Sequence, residues 1–159
     1  GGRVRTVFVG VLFDIAWFLL AYKGHDWRDT TAGFLAWLFI MGIALLPSSR
    51  SGAKDWETVL HFMSAAGLFV TLAFFALCLF TRSDVPREKW TDEKKKRNGF
   101  YVLCGSVILI TLAAYLLSQW LVDDATFADA KGGFWLESLM IWAFGLSWLV
   151  KGQTLWKDI

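Results

Sequence analysis

Thr58 to Thr81 reads TVLHFMSAAGLFVTLAFFALCLFT, a run of 24 residues without one Asp, Glu, Lys or Arg. A helix needs about 20 apolar residues to span the hydrocarbon core of a bilayer, so this run is long enough to cross. A strand reading fails. A membrane barrel alternates apolar and polar residues over segments of about 10 residues, whereas Phe69 to Phe80 is apolar on every face.

Working outward from this run, the pattern recurs at about 6–22, 31–46, 99–122 and 133–150. With 58–81 these blocks predict an all-α fold: a polytopic transmembrane bundle of five spans, one domain over residues 1–159. Pro47 stops the second block, because proline cannot continue a helix. The chain is 56% hydrophobic with a mean hydropathy of +0.47, against about 45–50% apolar residues in soluble domains. Short connections predict antiparallel neighbours. The exception is the 82–98 loop, which holds Pro86, Trp90 and the run Lys94-Lys95-Lys96-Arg97.

Small residues gather in the third to fifth blocks: Ser64, Ala65, Ala66 and Gly67, then Gly105 and Ser106, then Ala143, Gly145 and Ser147. Helices in lipid approach one another through such residues. The third to fifth spans are therefore expected to form the tight centre of the bundle.

The 82–98 loop carries seven of the 16 Lys and Arg residues. Placing it in the cytoplasm leaves eleven of them inside and five outside, as the positive-inside rule requires. The C-terminus, with Lys151 and Lys157, is then cytoplasmic too. A net charge of +2 gives no reason to expect nucleic acid as a partner. The Lys94 to Arg97 run is an anchor that attracts anionic lipid. Trp27, Trp56, Trp120, Trp135 and Trp156 fall at span ends, where indoles suit the headgroup layer. Trp17, Trp37, Trp142 and Trp148 lie within spans, as packing or lipid-facing bulk or as walls for an aromatic ligand. Cys78 and Cys104 lie in apolar blocks, which excludes a disulfide-stapled secreted domain.

Three ionisable groups sit inside spans, where a charge is costly and marks a candidate site. They are Asp14, His61 and Glu137. The topology sets His61 and Glu137 at one depth near the outer surface, with Ser64 and Ser138 beside them. This group reads as a polar clasp fixing helix register, or as a proton-handling or ligand pocket. Asp14 reads as a hydrogen bond to a Ser, Thr or indole of a neighbouring helix, or as a cation or proton site. On the inner face, Asp26, Asp29, Arg97, Asn98 and Lys151 read as loop-stitching ion pairs, or as a site for a lipid headgroup or partner protein. Asp29 is expected to cap the second helix.

No catalytic set is complete. A b-type haem needs two embedded histidines, and only His61 lies in a span. Catalytic zinc takes about three protein ligands. A retinal Schiff base needs a mid-span lysine. No metal or cofactor is therefore assigned.

Several phrases resemble a group of small bacterial inner-membrane proteins. They are Val7 to Phe13, Tyr22-Lys23-Gly24-His25-Asp26 with Asp29, Ile43 to Pro47 followed by Leu60-His61, Lys96-Arg97-Asn98 with Tyr101 and Cys104-Gly105, and Phe134 to Glu137 followed by Phe144 to Gly152. The resemblance implies the C-terminal five spans of a six-span protein of the bacterial inner membrane. It singles out Asp26, Asp29, His61, Arg97, Asn98 and Glu137. His25 departs from the pattern, where tyrosine is usual. It names no reaction.

These readings lead to a non-enzymatic accessory or scaffold subunit that binds lipid or a larger membrane complex, or forms a homo-oligomer. A lipid-processing enzyme using His61 and Glu137 is the first alternative. It resembles seven-span ceramidase-like hydrolases in outline but has too few histidines. A small transporter or channel is the second, although inverted repeats and broken helices are not evident.

Overall fold

The computed structural model describes residues 2–24, 26–46, 55–122, 126, 130–152 and 155–156. His25, Pro47, Asp123, Asp124 and Asp129 lie outside them, as do Arg50 and Lys54. The helices are α1 (Gly2–Ala21), α2 (Trp27–Leu45), α3 (Trp56–Phe74), α4 (Asp92–Leu121) and α5 (Gly132–Lys151). A π-helical turn, Phe75–Leu79, extends α3, and a short 3₁₀ turn covers Arg87–Lys89. No strand occurs among the described residues, so the fold is all-α. By length and composition α2, α3 with its π turn, α4 and α5 can each cross a membrane. The apolar part of α1, Val9–Ala21, is shorter.

Each helix starts before its apolar block, and at α2 and α4 the caps show why. Asp26 caps α2: its Oδ1 accepts from the Arg28 amide at 2.9 Å, and Asp29 Oδ2 accepts from the Asp26 amide at 3.2 Å. This is a reciprocal capping box with Asp29 at its third position. Asp29 thus serves the cap from inside the first turn and is not the cap itself. Thr91 caps α4 through its hydroxyl, which accepts from the Lys94 amide at 3.1 Å. Asp92 and Glu93 in the first turn complement the helix dipole. The basic run Lys94 to Arg97 is therefore helical, not loop.

The chain forms two compact units, Gly1–Thr71 and Leu72–Ile159, which divide within α3. In the first unit α1 packs along α2. α1 buries Ala16 and Leu19, and α2 buries Ala32, Gly33, Ala36, Ile40 and Ala44, which recur at helical spacing along one face. A Cβ at Gly33 would lie 2.5 Å from the carbonyl oxygen of Leu19. Here the two backbones are in near contact, so α1 and α2 share a tight small-residue seam that the sequence reading overlooked.

In the second unit α4 packs on α5 and on the π turn. The Phe80 amide donates to the Phe75 carbonyl at 2.9 Å, five residues back. That wider turn brings the two rings to one side, with centroids 5.9 Å apart. Phe144 and Trp148 of α5 and Tyr101 of α4 complete an aromatic core, with Phe80 5.4 Å from Trp148 and 5.6 Å from Tyr101. Trp148 is thus half-buried against this core, while Trp17 and Trp142 are exposed. The outward surfaces are apolar, with Ile110, Leu117 and Trp120 all exposed. Such a surface suits lipid and would be an aggregation hazard in water.

Candidate functional site

One turn into α3, His61 Nδ1 lies 2.9 Å from the carbonyl oxygen of Leu46, the C-cap residue of α2. The carbonyl accepts, so Nδ1 carries the proton. A helix-end carbonyl that has no partner in its own helix is thereby satisfied. Ser64, one turn further on, packs against Gly42 of α2. These two members of the expected outer cluster therefore join α3 to the end of α2. Glu137 belongs to the second unit, where it is exposed on α5 and its charge reaches Tyr115 of α4. Ser138 beside it is half-buried.

Asp14 has a different setting. The side of α1 that carries Ala16 and Leu19 meets α2, and Asp14 points the other way, with Val7, Val11 and Phe18. A Cβ at Gly10, one turn earlier, would meet nothing within 4 Å. No hydrogen bond or ion pair reaches Asp14 among the described residues. The indole Nε1 of Trp37 on α2 is buried without a hydrogen-bond partner. The expected indole bond to Asp14 is therefore not made through Trp37.

The residues expected on the inner face fall into separate roles. Asp26 and Asp29 form the cap of α2. Arg97 is buried at the start of α4 and donates from Nη1 to the Trp156 carbonyl. The Trp156 ring meets Phe100 at 5.8 Å, so this pair of contacts holds the chain just beyond α5. The Lys151 ammonium lies 5.7 Å from the Phe80 ring centroid, within cation–π range. Asn98 donates from Nδ2 to the Thr81 carbonyl at 3.2 Å, and its Oδ1 is buried with no partner.

Asn98 also lines a cleft of about 540 Å³, together with Leu77, Thr81, Arg87, Trp90, Lys95, Gly99 and Val102. α4 contributes Lys95, Asn98, Gly99 and Val102, which share one face at helical spacing. The π turn contributes Leu77, and Thr81 follows just beyond it. The connection contributes Arg87 and Trp90, and two contacts brace it. The Trp90 indole donates to the Val85 carbonyl at 2.9 Å, and the Arg87 guanidinium lies 5.6 Å from the Trp90 ring. Lys94 donates to the Arg82 carbonyl at 3.0 Å, placing a cation at the chain end of α3. Of these lining residues, sequence reasoning named Asn98 as a site residue and Lys95 as part of the Lys94 to Arg97 run that attracts anionic lipid. The available signal was an indole, Trp90, within an otherwise charged connection.

Two carboxyl groups outside the apolar blocks are held low, Asp92 by the Lys95 ammonium and Asp55 by Thr58. The Thr58 hydroxyl and amide donate to Asp55, which holds its carboxyl below the ordinary 3.8. The amide bond is 2.8 Å. Among the described residues no three of His, Cys, Asp and Glu gather where they could hold a metal ion. No known protein family, curated protein or solved structure matches the chain.

Proposed function

We propose that this protein is a non-enzymatic accessory subunit of a larger membrane complex, and that it docks through the outward face of α1. Asp14 carries this reading. A carboxyl group midway along an apolar helix is expensive in hydrocarbon, and Asp14 faces away from the α1–α2 seam with no partner among the described residues. Gly10, one turn earlier, leaves open space for a close helix. The occupant that fits is a transmembrane helix of another protein, presenting a hydrogen-bond donor or a cation at the depth of Asp14. Interhelical bonds of this kind are worth about 0.6–2 kcal/mol.

The charge asymmetry supports an orientation with the start of α4 on the cytoplasmic side. The motif resemblance supports the bacterial inner membrane. A photo-crosslinker at position 18, on the same face as Asp14, tests the docking. The expected adduct is a different membrane protein, identified by mass spectrometry, which is lost in Asp14→Leu and kept in Asp14→Asn. An adduct only with a second copy, with lipid, or with the chain itself overturns the reading. So does a purified chain that runs alone and turns over lipid.

A further inference from the structure

We infer that the cleft between the end of α3 and the start of α4 binds a phospholipid with an anionic phosphodiester and a hydroxyl-bearing headgroup. Arg87 and Lys95 supply two cations at one rim. No carboxylate engages Arg87 among the described residues, and its guanidinium is steadied only by the Trp90 ring. Lys95 Nζ meets Asp92 at 3.0 Å, but both side chains are exposed, 60% and 78%. Exposed pairs of this kind hold weakly, so a phosphate can draw the ammonium away. Glu88 and Glu93 sit in the same stretches of chain, so the rim is mixed and the selection is for a single anion beside the cations.

Farther along α4 the lining turns apolar. Leu77 lies in the π turn and Val102 lies two turns above Lys95, both within apolar stretches, with the Trp90 ring alongside. One end of the cleft thus suits an ion and the other an acyl chain, which is the shape of an amphiphile at a membrane surface.

Asn98 adds a further requirement. Its Nδ2 is committed to the Thr81 carbonyl, which fixes the amide so that Oδ1 is the remaining group. Oδ1 is a buried acceptor without a donor, and buried polar groups of native proteins rarely stay unpaired. An ionised phosphodiester has no O–H left to donate to it. A glycerol-type headgroup hydroxyl can donate. Gly99 leaves the middle of the cleft open, since a Cβ there would meet nothing within 4 Å.

The site is tested on the full chain in mild detergent by native mass spectrometry. It is titrated with phosphatidylglycerol, phosphatidylethanol, phosphatidylcholine and soluble glycerol 3-phosphate. Phosphatidylglycerol is expected to bind at least tenfold more tightly than each of the others. Gly99→Leu, which fills the cleft, and Arg87→Gln should each weaken it at least fivefold with helix content unchanged, while Lys89→Gln leaves it as it was. Equal binding of phosphatidylcholine overturns the proposal. Glycerol 3-phosphate bound as tightly as the lipid makes the cleft a site for a soluble phosphate. Phosphatidylethanol bound as tightly as phosphatidylglycerol removes the role given to Asn98. Undiminished binding in both Gly99→Leu and Arg87→Gln places the lipid elsewhere and overturns the site.

Discussion

The His61 ring donates to the carbonyl oxygen of Leu46 across 2.9 Å, tying the first turns of α3 to the residue that ends α2. Removing the ring leaves that carbonyl without its partner, at a cost of about 1–3 kcal/mol. His61→Ala should therefore lower the melting temperature of the detergent-solubilised protein. A variant that melts like the parent would show that the bond contributes nothing to stability.

Gly33 and Gly145 should respond in opposite directions to one added methyl group. At Gly33 the new Cβ meets the Leu19 carbonyl oxygen at 2.5 Å, and a backbone atom cannot swing aside. Gly33→Ala should destabilise, although alanine is the better helix former. At Gly145 nothing lies within 4 Å, so Gly145→Ala should stabilise by about 0.5–1 kcal/mol. Thermal scans of the pair in one detergent check both signs.

Asp55 ties the start of α3 to pH. Its carboxyl is held below 3.8 by the Thr58 hydroxyl and amide. A depressed carboxyl contributes stability above its unfolded value, and that contribution fades as pH falls through the lower folded value. The cap of α3 should weaken on acidification below about pH 4. In Asp55→Asn, whose amide oxygen still accepts but does not titrate, this part of the acid response should vanish from circular dichroism melts at pH 7 and pH 3.

Arg97 holds the segment after α5 by donating to the Trp156 carbonyl. Arg97→Gln should free that segment, and limited trypsin digestion should then cut at Lys157 and Lys151 several times faster. Mass spectrometry of the products measures this directly. Unchanged cleavage rates would assign Arg97 to its other contacts.

The sequence was most legible where hydropathy and structure ask the same question. The run from Thr58 to Thr81 announces a helix because lipid and helix impose the same pattern. It was less legible at the starts of α2 and α4. There Asp26 and Thr91 decide the boundary through short-range hydrogen bonds that hydropathy does not register. Asp29 was read as the cap because it adjoins the apolar block, yet it sits at the third position of the helix. The small stripe Ala32, Gly33 and Ala36 was passed over because its meaning depends on which helix lies opposite. The cleft was hidden for the same reason. Leu77, Arg87, Trp90 and Val102 come together only after the connection folds back on itself, and no spacing in the chain records that.

The π turn at Phe75–Leu79 holds one residue more than an α-helical turn would. Each residue of an α-helix advances the direction of its side chain by about 100°. Everything downstream is therefore set at a different phase from the rest of α3. Deleting one residue from this turn would rotate Phe80 out of the aromatic core. It would also carry away the Thr81 and Arg82 carbonyls that Asn98 and Lys94 grip. The surplus residue works like a key in a shaft, fixing the angle at which the greasy interior of the second unit is coupled to its basic rim.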